Sequence, residues 1–278
     1  MTKSYYLVRL SPFGGFPRPK NQVPGAALSG RIEAVGPGVS TFQVGDEIFG
    51  QALHGAFAEY IVMPAALIAY KPKNLSFEEA AAVPWGTTAL QGLRDSGGIK
   101  AGDRVLVYGA SGAVGTWAVQ LAKSLGAHVT AVCSTHNVDL VRSLGADEVI
   151  DYKKKDFVEG GARFDILLDM VGNRGFSDYK AVLKGGGRYV PCSGGGGDWL
   201  GPLLRIIGGL LSFLIGGKQF KMFIQNVNAD DLVVMRELIE ANRVKPVVER
   251  TWPMSEAAAA LRHVGTGHSR GLNVLRLS

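Results

Sequence analysis

Val105-Leu106-Val107-Tyr108-Gly109-Ala110-Ser111-Gly112-Ala113-Val114-Gly115, running directly into Thr116–Leu125, is the stretch that decides how this chain reads. An apolar run rich in β-branched residues stops at a cluster of small residues and resumes with a different period. Val114, Ala118, Leu121 and Leu125 recur at intervals of four, three and four, the spacing of one helix face, and Gly126 stands where that helix would stop. The stretch predicts a strand, a tight turn and a helix. N–H groups at the start of a helix have no intrahelical acceptor and point out of the turn, so an anion fits there. Gly112 and Gly115 leave room for a diphosphate and for the strand–helix contact. Ala110 holds the first glycine position of the usual G-x-G-x-x-G; Ser111, Gly112, Ala113 and Val114 are the expected phosphate-binding residues.

The alternation continues from Lys100 to about Ile224. His128–Cys133 reads as a second strand, followed by a helix through Val138, Val141 and Leu144 that ends at Gly145. Glu148–Asp151 reads as a third strand, Phe164–Val171 as a fourth, and Phe176–Leu183 as a helix. Gly185–Gly187 is expected to turn the chain into a fifth strand, Arg188–Cys192, with Gln219–Ile224 a sixth. Near-continuous apolar strands between amphipathic helices mean a parallel sheet covered on both faces, and right-handed crossovers make it doubly wound. Ahead of it, Gly30–Gly36, Gly45–Gly50 and Gly55–Met63 read as short antiparallel strands between Gly/Pro turns. Behind it come helices at Asp230–Ala241 and Trp252–Val264, the latter with Ser255 as a cap, and a strand, Leu272–Leu277, that can return to the β module. The expected fold is α/β, a doubly wound parallel Rossmann sheet plus an antiparallel β module. The expected boundaries are 1–83, 84–227 and 228–278, the last returning to the first.

The bulk composition removes several alternatives. The 278 residues are 46% hydrophobic and 19% charged, enough to bury one large core or two smaller ones. Net charge is +6, but the only basic run, Lys153-Lys154-Lys155, is too short for a nucleic-acid tail, so no nucleic-acid partner is expected. Cys133 and Cys192 fall at the ends of expected strands and build neither a disulfide framework nor a zinc cluster, which points to a reducing, cytoplasmic setting. Met1–Pro12 has no apolar core followed by a cleavage site. Trp199–Gly217 approaches bilayer-spanning length, yet it contains Pro202, Arg205 and five glycines and falls inside the parallel sheet. It reads as a covering helix or an apolar rim of the active site or dimer interface, with peripheral membrane contact as the alternative.

Together these segments resemble the zinc-independent quinone oxidoreductase (zeta-crystallin-like) branch of the medium-chain dehydrogenase/reductase superfamily. The resemblance runs through Pro24-Gly25, Glu33-Ala34-Val35-Gly36, Phe42–Gly50, Phe57-Ala58-Glu59-Tyr60, Ala81-Ala82-Val83-Pro84 and Thr88-Ala89-Leu90-Gln91. It continues through Ala110–Gly115, Gln120–Lys123, Leu144–Tyr152 and His268-Ser269-Arg270-Gly271. It implies a GroES-like catalytic module, here lacking its usual opening strands, and Ala27 stands where the family's Pro-Gly-x-Asp-type motif is acidic. It also implies that Thr88 lies near the nicotinamide amide and substrate, where capping the helix Ala89–Leu93 is the plainer role. Trp85 would line the pocket or pack in the core. His268 and Arg270 would sit near the cofactor or serve as surface ion pairs, and the protein would form a homodimer.

The cofactor follows from the end of the second strand. An acid about twenty residues past the glycine turn would accept from the ribose 2′-hydroxyl of NAD. Cys133-Ser134-Thr135-His136-Asn137 has no carboxylate, and its donors suit a 2′-phosphate. Ser134, Thr135 and His136, with Tyr152 and Lys153 closing over the adenine side, therefore predict NADPH; helix capping by Ser134 and Asn137 is the alternative. Ser193 ends the fifth strand, where open sheets bind ligands, and Phe223 ends the sixth, near the nicotinamide. No metal is expected, because His54 is the only histidine in the first hundred residues and no cysteine accompanies it. Without a metal, reduction of a quinone or an α,β-unsaturated carbonyl asks chiefly for hydride positioning and a donor to the developing oxyanion. No Tyr-x-x-x-Lys pair is present at Tyr179-Lys180 and no general acid is evident; Tyr5 and Tyr6 are unplaced. An NADPH-dependent quinone or enone reductase is the leading expectation, and an NADP(H)-binding protein with little catalysis, used for interaction or regulation, is the alternative.

Overall fold

The computed structural model describes residues 23–161, 163–192 and 201–277. Tyr5, Tyr6 and Ser193 lie outside the described residues. The chain divides into two compact units: one takes in the chain up to Thr87 and again from Asn226, and the other runs from Thr88 to Gln225.

In the first unit β1 (Ala27–Arg31), β2 (Glu47–Gln51) and β3 (Ile68–Tyr70) form an antiparallel sheet in that order. Phe49 at its centre is fully buried. The expected third strand was Gly55–Met63, and this is corrected: the third strand is Ile68–Tyr70. Gly55, Ala56 and Phe57 spend their N–H groups on the carbonyls of Val23, Gly25 and Pro24, while Tyr60 and Val62 stand exposed. The alternation of apolar residues is real, but no strand among the described residues pairs with it. Helix α1 (Phe77–Ala82) opens on a reciprocal cap, Ser76 Oγ accepting from Glu79 N–H and the Glu79 carboxylate from Ser76 N–H. Helix α2 (Pro84–Gln91) follows at once, its proline in the first turn where a missing N–H costs nothing. Thr88 is therefore inside a helix and does not cap one.

The second unit carries β4 (Arg104–Tyr108), α3 (Gly115–Ser124), β5 (His128–Cys133), α4 (Val138–Ser143), β6 (Glu148–Asp151) and β7 (Phe164–Asp169). It continues with α5 (Phe176–Val182), β8 (Leu183–Pro191), α6 (Gly201–Phe213) and β9 (Gln219–Phe220). All six strands are parallel, in the order β6-β5-β4-β7-β8-β9. This is the doubly wound order, whose ligand crevice opens at the carboxyl ends of the strands beside β4. Three expectations need adjustment. Gly185–Gly187 is an irregularity inside β8, between the pairs Phe164–Leu183 and Ile166–Arg188, and no separate turn. The fourth strand stops at Asp169 because Val171 and Gly172 N–H groups turn back onto its carboxylate. The sixth has only two residues, so Phe223 lies beyond its end.

The core of this unit is aromatic. Tyr179 stacks on Tyr189 with centroids 4.5 Å apart, and Phe213 stacks on the same tyrosine at 5.7 Å. Phe213 comes from α6 and is buried, while Ile207, Leu210 and Leu211 face outward, so the described part of the apolar segment, from residue 201, packs one side of a helix on the core. Among the described residues no helix is long and apolar enough to cross a membrane.

The tail rejoins the first unit. Helix α7 (Ala229–Glu240) is capped by Asn228, whose Oδ1 accepts from Asp231 N–H at 2.8 Å, and Asn74 Nδ2 donates to the Ile239 carbonyl at 2.9 Å. Then come β10 (Val248–Pro253), α8 (Ala257–Gly265) and β11 (Leu272–Arg276), with β10 and β11 a parallel pair. Trp252 is thus a strand residue, its indole N–H donating to Asn273 Oδ1. Ser255 lies in the short turn Met254–Glu256 and caps nothing, because Pro253 ends the strand and delays the helix.

Candidate functional site

The turn between β4 and α3 is built by close backbone approach. Gly109 has φ +87°, a conformation that a side chain disfavours, and it carries the chain off the strand while Gly109 and Ala110 N–H groups bond the Val132 carbonyl. At Gly115 an added Cβ would fall 2.1 Å from the Gly109 carbonyl oxygen and 2.8 Å from Ala110 backbone atoms. At Gly112 it would meet only the Gly109 oxygen, at 3.6 Å. The two glycines therefore have different duties: Gly115 lets the helix sit on the strand, and Gly112 leaves an open surface above the turn.

Helix α3 has no side-chain cap at Val114 and no acid in its first turn. Thr116 N–H bonds Gly112, whereas among the described residues no loop or turn carbonyl takes the N–H groups of Val114 and Gly115. A helix start with partial positive charge and spare donors holds an anion.

The end of β5 lies beside this turn. Ser134 leads into the short turn Thr135–Asn137, and the buried Asn137 amide reaches both ways, Nδ2 donating to Ser111 Oγ at 3.0 Å and to Ser134 Oγ at 3.2 Å. The structure thus brings Ser111 and Ser134 together through Asn137, which the sequence placed among the donors for a 2′-phosphate or as a helix cap. Asn137 caps nothing. Thr135 is corrected in its role: its hydroxyl donates to Asp151 Oδ2 at 2.7 Å, so that hydrogen is spent inside the protein. His136 is exposed in the same turn, and Tyr152 is exposed with the Lys153 ammonium 5.3 Å over its ring.

Charge at this edge is balanced. Burial alone would push the Asp151 carboxyl up, but donation from Thr135, Lys153 N–H and the Lys154 side chain together bring it below its usual value. Burial first, then the Asp151 carboxylate, raises the Cys133 thiol to about 11, so it is a thiol and no nucleophile at neutral pH.

Other expected residues fall elsewhere. Thr88 is buried in α2 and Trp85, on the same helix, is 37% exposed, so it is no core residue. Phe223 is half-buried. His268 and Arg270 belong to the tail of the first unit, where His268 Nδ1–H donates to the Thr266 carbonyl at 2.7 Å and Arg270 N–H supports the Glu249 carboxylate.

These residues fit a dinucleotide. Gly112 provides the cradle a Cβ would narrow, α3 provides unused donors, and no carboxylate follows β5 directly. Asn137 Oδ1 is buried without a donor among the described residues, while its nitrogen is committed to the two serines. Zinc fits poorly: among the described residues no group of three or more His, Cys, Asp or Glu could hold a metal ion, and His54 is exposed.

Comparison with known proteins identifies the family and the fold. Residues 144–275 match a family described as "Zinc-binding dehydrogenase", and residues 5–73 match the "Alcohol dehydrogenase GroES-like domain". The chain is 35% identical to the NAD(P)H oxidoreductase RTN4IP1, mitochondrial, of Bos taurus, over 91% of this chain and 70% of that protein. It is 31% identical to the NADPH-dependent alkenal/one oxidoreductase, chloroplastic, of Arabidopsis thaliana, over 95% of this chain and 66% of that one. The solved quinone oxidoreductase from Coxiella burnetii superposes with a TM-score of 0.81 at 29% identity, covering 92% of this chain and 79% of that chain. The chain therefore belongs to the medium-chain dehydrogenase/reductase superfamily, in its zinc-independent, quinone oxidoreductase-like branch.

Proposed function

We propose that this protein is an NADPH-dependent reductase of quinones or α,β-unsaturated carbonyls that works without zinc. Its coarse part, an NAD(P)H oxidoreductase of quinone or alkenal reductase type, follows from family membership. The finer part rests on one observation: beside an open helix start, β5 gives way to Ser134 rather than to an acid. The names of relatives support the substrate class, one being an alkenal/one oxidoreductase and one structure a quinone oxidoreductase.

In this reading Ala113, Val114 and Gly115 N–H groups and the Ser111 hydroxyl hold the diphosphate. Ser134 donates to the 2′-phosphate, and Tyr152 with Lys153 covers the adenine side. Bound NADPH supplies the hydride. Thr88 faces the nicotinamide and substrate with Phe223 packed near it, and Trp85, His268 and Arg270 carry the pocket and cofactor roles that the resemblance implies. The proton comes from solvent or from the N-terminal part of the chain. Two copies pair through the free edge of β9, and the two free thiols suit a reducing compartment such as the cytoplasm.

Steady-state oxidation of NADPH with a panel of quinones and enones tests this. Turnover with at least one class, and faster with NADPH than NADH, is the expected result. Tight NADPH binding with no turnover on any substrate would instead leave an NADP(H)-binding protein, the reading that Ala27, at the family's acidic position, favours.

A further inference from the structure

We infer that Asn137 is a positioning residue that turns the hydroxyls of Ser111 and Ser134 into paired donors for the coenzyme's two phosphate sites. This rests on the proposed NADPH reading and deepens it, because the Asn137 amide is spent on the two serines and acts on the phosphates through them. The Asn137 side-chain amide has two hydrogens, and the two serine oxygens accept one each, at 3.0 and 3.2 Å. A hydroxyl has one hydrogen to give. With its oxygen already accepting from Asn137, each serine keeps that hydrogen for an outside acceptor, and neither hydroxyl donates to any group among the described residues.

The orientation of the amide is physically determined. Asn137 is 7% exposed, and its Oδ1 is buried without a donor. Turning the amide over would leave two buried N–H donors unsatisfied in place of one acceptor, which is the worse arrangement. Nothing else in the short turn can do this work, since Thr135 is committed to Asp151 and His136 is exposed. One side chain thus links the phosphate turn, common to NADH and NADPH, with the position that meets only the 2′-phosphate. A single substitution should affect both coenzymes, and NADPH more.

The test is equilibrium titration with NADPH and NADH, read by coenzyme fluorescence, on the intact protein and its variants, with melting temperatures of the free proteins as the folding control. Asn137→Ala should weaken NADPH about tenfold and NADH by less, about the size of one lost charge-assisted hydrogen bond. Asn137→Asp, of nearly the same shape, should weaken NADPH further, because a carboxylate accepts from both serines and repels the phosphates. In a Ser111→Ala, Ser134→Ala background, Asn137→Ala should cost almost nothing more, a non-additivity that a merely structural role would not produce. Unchanged affinities in both Asn137 variants, or an equal loss in the serine-free background, would overturn the inference while leaving the NADPH reading intact. Failure of the unaltered protein to bind either coenzyme would instead remove the reading on which it rests, and the inference with it.

Discussion

In the six-stranded sheet Val105, Leu106, Val107, Ile166, Leu167 and Leu168 are all shut off from solvent, whereas in the three-stranded sheet β1 is nowhere fully buried and β3 ends on an exposed Tyr70. The parallel sheet is covered on both faces by helices and can spend apolar residues at every position. The small antiparallel sheet hides chiefly its middle strand, so its strands are short and their sequence is mixed. The contrast teaches where close packing resides: the turn between β4 and α3, where backbone comes close enough to exclude a Cβ at Gly115, sits at the end of the better buried sheet.

Breaking that contact is the harshest way to challenge the comparison. Gly115→Ala should cost about 4 kcal/mol or abolish the folded state, because the atoms it meets are backbone and cannot swing aside. Urea denaturation measures it, and a variant as stable as the parent would mean the turn is looser than described. Next in size, Leu167→Ala should cost about 3 kcal/mol in the covered sheet, against about 2 kcal/mol for Ile68→Ala in the small one. Equal losses would erase the contrast.

How much of this was legible beforehand follows the same contrast. Continuous apolar runs such as Val105–Tyr108 and His128–Cys133 marked the parallel strands almost to the residue, since burial on both faces leaves little ambiguity. Gly55–Met63 has a strand's alternation, yet a strand also needs a neighbour, and a pattern in one segment cannot reveal whether one exists. Trp252 was hidden for a related reason: its apolar neighbours suit a helix until Pro253 intervenes. In the candidate site Ser111, Gly112 and Ser134 were readable from their places after strands. Asn137 was readable as a donor but not as a link between serines, because its bonds reach residues 26 and 3 positions away, one of them brought near only by the fold.

Two smaller effects sharpen the account. Tyr189→Phe removes the hydroxyl that donates to Asp169 Oδ2 at 2.8 Å in the buried interior, and thermal unfolding should report a loss of about 1–3 kcal/mol. Asp165 should give the mildest signal. Burial pushes its carboxyl up, but the Lys184 ammonium, 2.8 Å away, and Arg104 N–H together hold it below its usual value. A depressed carboxylate stabilises the fold above its unfolded pKa of about 4, and that contribution is lost as pH falls through the folded value. Lys184→Met should therefore flatten the acid side of the stability profile, and an unaltered slope would show that the pair is screened away.

The most direct check of the whole account is a thermal melt of the intact protein with saturating NADPH, set beside the same melt with NADH and beside Gly112→Ala. The account predicts a rise in melting temperature that is larger for NADPH, and a Gly112→Ala protein that melts like the parent when free yet gains less from the coenzyme. No rise with either coenzyme, or a larger one with NADH, would contradict it.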